Sequence, residues 1–337
     1  MRIESNTDLT GFNTFGIKTV ARYFARFSDA EQLGELLQAP EAAGGTLVLG
    51  GGSNMLLTKD YGGLVLKNEV AGIEVVQEDE EFVDVKAGGG ENWHQLVMHC
   101  VDNGFAGMEN LSLIPGSVGA SPMQNIGAYG VEIRDIFSSL EAYDKTERTV
   151  RSFGLAECEF GYRESIFKRR HRDRFVILNV TFRLRKQPRF NTSYGAINAE
   201  LERMGVQELS IKAVSQAVIN IRSSKLPDPK EIGNAGSFFK NPTITQPAFE
   251  ALLANYPSMP SFPAEHDRIK IPAGWLIEQC GWKGFREGDA GCYPKQALVL
   301  VNYGNASGIE ILQLSQKIID SVHQRFGIEL EREVNII

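Results

Sequence analysis

Ser237 lies in the string Gly233-Asn234-Ala235-Gly236-Ser237-Phe238-Phe239-Lys240-Asn241-Pro242. Glycine and alanine clear space around its hydroxyl, while Asn234, Lys240 and Asn241 place hydrogen-bond donors near it in sequence. A hydroxyl in that setting can pass a proton. It lacks the signs of an acylating serine, because no histidine is near it in sequence and the G-x-S-x-G elbow is absent. A structural serine in a turn is the competing reading. Two other stretches suit a large anionic ligand. In Gly50-Gly51-Gly52-Ser53-Asn54, residues without side chains let backbone N–H groups converge on a phosphate. Met55 stands where a G-x-G-x-x-G fingerprint needs its last glycine, and no P-loop motif occurs, so a hairpin turn competes with phosphate binding. The other stretch is Ile114-Pro115-Gly116-Ser117-Val118-Gly119-Ala120-Ser121-Pro122, continued by Gln124-Asn125-Ile126-Gly127-Ala128-Tyr129-Gly130. Small residues at this density allow backbone to lie flat against a ligand, and Ser117, Asn125 and Tyr129 offer hydrogen bonds. Together the two stretches point to a dinucleotide cofactor; a tight structural corner is the alternative.

The elements that must carry these residues follow from periodicity and capping signals. Ser28 with Glu31 predicts a capped helix to about Gln38, and 46–49 reads as a buried strand running into the first glycine loop. A second strand is expected at 63–67. Residues 82–87 alternate at period two and end in Gly88-Gly89-Gly90. Asn92 then caps a helix whose apolar positions Trp93, Leu96, Val97, Cys100 and Val101 recur at helical spacing until Gly104. Strands at 140–144 and 175–184 surround Gly161-Tyr162-Arg163-Glu164-Ser165. Ser210 caps a helix to about Ser224, stopped by Pro227-Asp228-Pro229. Farther on, 247–255 and 274–280 read as helices and 298–302 as a strand, and Ser307 with Glu310 is the capping box of a helix ending at Gly327. In 328–337, Ile328, Leu330, Val334 and Ile336 share one face, leaving Glu329, Glu331, Glu333 and Asn335 on the other.

With 337 residues, the chain has length for two or three domains, and 42% hydrophobic with 23% charged residues is a globular composition. A net charge of −7 argues against nucleic-acid binding, so an anionic ligand must find local cations. The densest supply is Arg163, Lys168, Arg169, Arg170, Arg172 and Arg174, most of which read as a solvated basic turn. No run approaches the roughly 18 apolar residues of a membrane helix, and residues 1–9 lack an apolar leader, so a cytoplasmic protein is expected. Cys100, Cys158, Cys280 and Cys292 are irregularly spaced and read as reduced thiols. The five histidines show no paired ligand spacing; no catalytic metal is expected, and redox chemistry would need an organic cofactor.

The strings at 49–54, 114–130, 161–168, 222–228 and 233–242 together resemble those of the UDP-N-acetylenolpyruvoylglucosamine reductase (UDP-N-acetylmuramate dehydrogenase) family, and the likeness runs the length of the chain. The resemblance implies an α+β protein with an FAD-binding fold of the para-cresol methylhydroxylase type, made of two α+β subdomains, plus a C-terminal α+β substrate-binding domain. The corresponding ranges are 1–70 with 327–337, then 71–226, then 227–326. It further implies a monomer that holds FAD non-covalently, takes NADPH as co-substrate and reduces UDP-N-acetylenolpyruvoylglucosamine to UDP-N-acetylmuramate, a peptidoglycan precursor. Hydride addition to the enolpyruvyl double bond leaves an enolate-like dianion, which needs cations at its oxygens and an acid at its carbon.

By this resemblance Ser237 is the acid, Arg163 faces the substrate carboxylate and Glu333 completes the catalytic set. Gly50, Gly51, Gly52, Ser53, Asn54, Pro115, Gly116, Ser117, Gly119, Ala120, Asn125, Gly127 and Ala128 would contact FAD. Tyr129, Tyr194, Lys225, Asn241 and Gln296 would contact substrate. Tyr194, in Thr192-Ser193-Tyr194-Gly195, matches the tyrosine that closes a loop over the nucleotide-sugar in one subclass; otherwise it reads as a tyrosine capping a hairpin. Lys225 fits a diphosphate contact or, more simply, a lysine complementing a helix dipole. The chain departs from many relatives in carrying Asn335 for an arginine and Arg332 for a proline, which removes one expected cation from the carboxylate site. Competing functions are an FAD-dependent sugar or lactone oxidase of the same flavin fold, and a flavin-binding sensor without turnover. Many such oxidases tether FAD through a histidine near the first glycine loop, and none stands there.

Overall fold

Val20–Phe27, Tyr61–Asn68 and Thr46–Leu49 run parallel as neighbours in one sheet, with Glu4–Asp8 on its edge. The computed structural model describes residues 2–264 and 267–337. The sheet belongs to the first of two compact units, formed by the chain up to Thr7, Ala21–Gly52 and Tyr61–Ser224. Leu64, Val65 and Leu66 are fully buried. The strand 46–49 is only half-buried, with Leu49 alone in the interior. Helix Ala30–Gln38 packs Leu33 and Leu36 into the same core, and its cap is Asp29, not Ser28: the Asp29 carboxylate accepts the Gln32 N–H at 2.8 Å. Asp caps a helix as well as Ser does, so the start shifted by one residue.

A second sheet in this unit is antiparallel throughout, in the order Thr149–Gly154, Phe137–Asp144, Phe175–Arg185, Phe82–Gly88, Ile73–Glu78. Helix Trp93–Asp102, capped by Asn92, joins the apolar cluster of this sheet through Trp93, Leu96, Val97, Cys100 and Val101, as its periodicity predicts. Trp93 meets Phe182 edge-on at 5.6 Å. Each large side chain buried in this way contributes about 1.5–3 kcal/mol. Ile73–Glu78 went unread in the sequence because it is an edge strand with almost no buried face.

The second unit comprises Asp8–Val20, Ser53–Asp60 and Lys225–Ile337. Gly233–Ser237, Val299–Asn302, Ala290–Cys292 and Arg286–Glu287 form an antiparallel sheet in that order, and Thr243–Thr245, Arg268–Lys270 and Phe262–Ala264 form a smaller one. The capping box of helix Gly308–Phe326 is realised: Ser307 Oγ accepts from the Glu310 N–H, Glu310 accepts from the Ser307 N–H at 2.7 Å, and Gly327 ends the helix at φ +66°. Ile311, Leu314, Ile318, Val322 and Phe326 are buried in one cluster with Phe15, Phe238, Phe239 and Leu300. In the last stretch Ile328, Leu330 and Val334 are buried as the alternation requires, but Ile336 is 37% exposed. Only Asn335–Ile336 enters a ladder there, parallel to Met55–Leu56. No helix among the described residues is long and apolar enough to cross a membrane.

Candidate active site

In the first unit the two glycine-rich segments lie backbone against backbone. A Cβ at Gly51 would stand 2.7 Å from the Gly116 Cα, and one at Gly50 would stand 2.3 Å from the Ser117 Oγ. The loop leaves the carboxyl end of a parallel strand, Thr46–Leu49, where ligands of such sheets bind. The second segment is pinned from behind: the Trp93 N–H donates to the Gly116 carbonyl at 3.0 Å, Val118 N–H to Glu91 at 2.9 Å and Gly119 N–H to Gly89 at 2.9 Å. Gly119 is turned toward Gly89, so the triplet Gly88-Gly89-Gly90 belongs to the same corner. In the sequence that triplet marks only the end of a strand. Lys67 was missed altogether. Its ammonium donates to the Gly50 carbonyl at 2.6 Å, and burial pushes its pKa below the ordinary lysine value. Lys67→Met should loosen this loop and weaken cofactor binding about threefold to tenfold, read as a dissociation constant.

Asn125 is fully buried at φ +46°, and its side chain is committed to the chain itself. Its amide donates to Glu132 at 2.8 Å and to the Gly161 carbonyl at 3.0 Å, and its carbonyl accepts the Arg134 N–H at 3.1 Å. It thereby ties down the turn that presents Arg163. Gly161 and Glu164 exchange both backbone hydrogen bonds, at 3.0 and 3.2 Å, which leaves Arg163 at the tip with φ +55°. That left-handed conformation costs a side-chain-bearing residue about 1 kcal/mol or more and is concentrated at functional sites. The Arg163 guanidinium donates to the Gly127 carbonyl at 2.9 Å. Tyr129, another non-glycine at positive φ (+50°), meets Tyr194 edge-on at 5.3 Å and hydrogen-bonds Arg222. Burial, and then the like charge of Arg163, push the Arg222 pKa down from its ordinary value. A guanidinium beside Tyr129, with the charge of a second guanidinium acting on it, forms a site suited to an anion. In the sequence Arg222 stands out only as a member of the string 222–228, and its helical position gives no sign of its partners. Tyr194 is half-exposed and precedes helix Gly195–Arg203 as its N-cap residue, so it does not cap a hairpin.

The basic run near Arg163 is mostly neutralised by acidic partners. Arg169 and Arg170 pair with Glu159 at 3.2 and 2.6 Å, and Arg174 pairs with Asp144 at 2.6 Å. The solvated-turn reading holds for Arg169 and Arg170, whereas Arg174 is half-buried and its partner Asp144 is buried.

In the second unit Ser237 ends strand Gly233–Ser237, opposite Val299. The register slips between Asn234 and Ser237, and Gly236 takes φ +69°. Irregularities of this kind re-aim a side chain next to an active site. Phe238 and Phe239 follow at 0% and 1% exposure and anchor the half-buried serine to the core. The polar neighbours do not serve the hydroxyl as their sequence proximity suggested. Asn234 donates to the Ile232 carbonyl at 2.9 Å and accepts the Gly236 N–H at 3.0 Å, which fixes the bulge. Lys240 pairs with Glu331 at 2.5 Å. Asn241 accepts the Ala273 N–H at 2.9 Å, at the start of helix Ala273–Gln279. A Cβ on Gly274 of that helix would stand 2.9 Å from the Gln296 Oε1, so Asn241 and Gln296 attend the same helix start.

Glu333 is brought to the serine's segment by the backbone: its N–H donates to the Phe238 carbonyl at 2.8 Å, while Phe239 bridges Arg332 and Lys240 N–H donates to Glu331 at 2.9 Å. Arg332 itself turns to helix Gly308–Phe326, donating to Ser315 at 2.8 Å and Gln316 at 2.7 Å. Asn335 donates from its amide to the Asn54 carbonyl at 2.8 Å, so it braces Asn54. Lys225 is exposed as the last residue of helix Ile211–Lys225. Cys100, Cys158 and Cys292 are buried, each thiol pushed up to about 12 by burial, which leaves them unreactive. Among the described residues no cluster of histidine, cysteine and acidic side chains could hold a metal.

Residues 21–152 match the family described as "FAD binding domain", and residues 228–337 match "UDP-N-acetylenolpyruvoylglucosamine reductase, C-terminal domain". An FAD-binding α+β domain joined to that reductase domain defines a flavin-dependent oxidoreductase. The chain is 50% identical over 338 residues to the UDP-N-acetylenolpyruvoylglucosamine reductase of Flavobacterium johnsoniae, covering 100% of both chains. It is 49% identical to that of Pseudomonas putida, covering 99% of this chain and 98% of the other. The chain belongs to the UDP-N-acetylenolpyruvoylglucosamine reductase family. Its fold is that of the UDP-N-acetylenolpyruvylglucosamine reductase of Thermus caldophilus, with a TM-score of 0.68, 24% identity and coverage of 100% of this chain and 99% of that one. The corner described above fits the diphosphate of FAD: the glycines at 50–52 and 116 leave no side chain between the two backbones, and a lysine lies behind them.

Proposed function

We infer that this protein reduces the enolpyruvyl group of UDP-N-acetylenolpyruvoylglucosamine to give UDP-N-acetylmuramate, with FAD as cofactor and NADPH as the source of electrons, in the synthesis of peptidoglycan precursors. FAD, when bound, supplies the hydride that it has accepted from NADPH. The remaining chemistry falls to side chains. Arg163, held at positive φ by the Gly161–Glu164 turn, binds the substrate carboxylate with its planar fork and neutralises the charge that develops there. Ser237 gives its proton to the adjacent carbon. A serine is a weak acid, but the enolate carbon is strongly basic, and Glu333 on the neighbouring segment helps to restore the proton. Residues 50–54, 115–117, Gly119, Ala120, Asn125, Gly127 and Ala128 hold FAD. Asn125 does so by shaping the backbone around it, since its side chain is occupied. Tyr129, Lys225, Asn241 and Gln296 orient the nucleotide-sugar.

We propose that Tyr194 is the loop tyrosine that covers the substrate in one subclass of the family. Its half-exposed ring, resting on Tyr129, supports that reading. By function the chain divides into FAD-binding subdomains at 1–70 with 327–337 and at 71–226, and a substrate domain at 227–326. We propose that it works as a cytoplasmic monomer. The observation that carries the reading is the mounting of Ser237: a hydroxyl at a strand irregularity, anchored by two buried phenylalanines and joined through Phe238 to Glu333. The purified protein should be yellow, and its visible flavin bands should shift on addition of UDP-N-acetylenolpyruvoylglucosamine. A colourless protein, or a flavin spectrum indifferent to that ligand, would count against the assignment.

A further inference from the structure

Leu113 sits at φ +57°, a strained conformation for leucine, immediately before Ile114-Pro115-Gly116-Ser117. Something must hold it there. Its N–H donates to Nδ1 of His94 at 3.0 Å, and its carbonyl accepts from Nε of Arg222 at 3.2 Å. His94 is the second residue of helix Trp93–Asp102, and the first residue, Trp93, donates its backbone N–H to the Gly116 carbonyl at 3.0 Å. The start of one capped helix thus grips the segment at residue 113 through an imidazole and at residue 116 through a backbone amide. Arg222, on the other side of Leu113, leads on to Tyr129.

We propose that His94 is a positioning residue for the cofactor site: as a neutral imidazole accepting the Leu113 N–H, it fixes residues 113–116 against the first glycine loop and acts through that segment. The bond requires an unprotonated Nδ1, so the proton of the neutral ring resides on Nε2. Burial, and then the charge of Arg222, hold the His94 pKa below its ordinary value. The neutral form and its bond are therefore complete above the ordinary imidazole pKa of about 6.5, and they are lost as pH falls through the depressed value in the folded chain. Arg222, from helix Ile211–Lys225, is the charged group that acts on the ring; residues 113–117 carry no charge, and Glu91 accepts the Gly72 N–H at 2.7 Å.

The inference rests on residues 115–117 contacting FAD, and equilibrium dialysis of the full-length flavin-loaded protein tests both points. His94→Leu should raise the FAD dissociation constant about tenfold at neutral pH, the loss expected when a buried N–H loses its acceptor. His94→Asn, whose Oδ1 replaces Nδ1, should stay within about threefold of wild type. Wild type should release FAD more readily as the pH falls through the depressed pKa of His94, and His94→Asn should lose that dependence. Equal affinity in His94→Leu and wild type, an Asn variant as weak as the Leu variant, or an unchanged acid profile in the Asn variant would each overturn the role of His94 alone. A wild-type protein that retains no FAD would overturn the cofactor reading as well.

Discussion

Ser237→Ala should leave NADPH reduction of the bound flavin at the wild-type rate while slowing the oxidation of reduced enzyme by UDP-N-acetylenolpyruvoylglucosamine about 10²–10⁴-fold, the range of a lost general acid. The two halves separate because Ser237 is asked only for a proton, and the first half delivers none to a carbon. The fold should tolerate the change. The residue's place in the sheet depends on its backbone pairing with Val299, on the Gly236 bulge and on Phe238 and Phe239, none of which needs the hydroxyl. Rapid mixing of each half-reaction under anaerobic conditions reads both rates. Equal losses in the two halves would remove Ser237 from the proton-donor role and suggest a general disturbance of the flavin environment.

The second large effect belongs to Gly51→Ala, which adds one methyl group to the corner. That carbon would lie 2.7 Å from the Gly116 Cα and 3.1 Å from its carbonyl carbon, with no flexible side chain to swing aside. Overpacking of this kind costs about 1–3 kcal/mol, and here the cost falls on the close approach of the two segments proposed to hold the diphosphate. FAD affinity should drop about tenfold to a hundredfold, and the protein should lose much of its yellow colour on dialysis. Gly62→Ala is the control, since a Cβ there meets nothing within 4 Å. If both variants retained flavin equally well, the glycine corner would not be the cofactor's seat.

How much of this the sequence disclosed depended on whether the signal was local. Helices Trp93–Asp102 and Gly308–Phe326 were legible because their caps, periodicity and terminal glycines lie within one stretch of chain. The glycine loops and the serine string were legible as kinds of residue. Their pairing was not, since Gly51 and Gly116 are 65 positions apart and only the fold sets one backbone on the other. The same limit hid Lys67, whose ammonium reaches a carbonyl 17 residues away, and Arg222, which meets Leu113 across 109. Val20–Phe27 escaped notice because its buried residues Ala21, Phe24, Ala25 and Phe27 do not alternate. Asn234, Lys240 and Asn241 show the reverse error: near Ser237 in sequence, they carry bonds to the strand bulge, to Glu331 and to Ala273. Proximity along a chain says little about where a polar side chain points.

In the proposed reaction electrons pass from NADPH through the bound flavin to a carbon–carbon double bond. Under strict exclusion of oxygen, NADPH should bleach the yellow wild-type protein, and UDP-N-acetylenolpyruvoylglucosamine added afterwards should restore the colour in one turnover with UDP-N-acetylmuramate as the product. A protein that stayed bleached until air was admitted would be an oxidase, and the reductase assignment would fall.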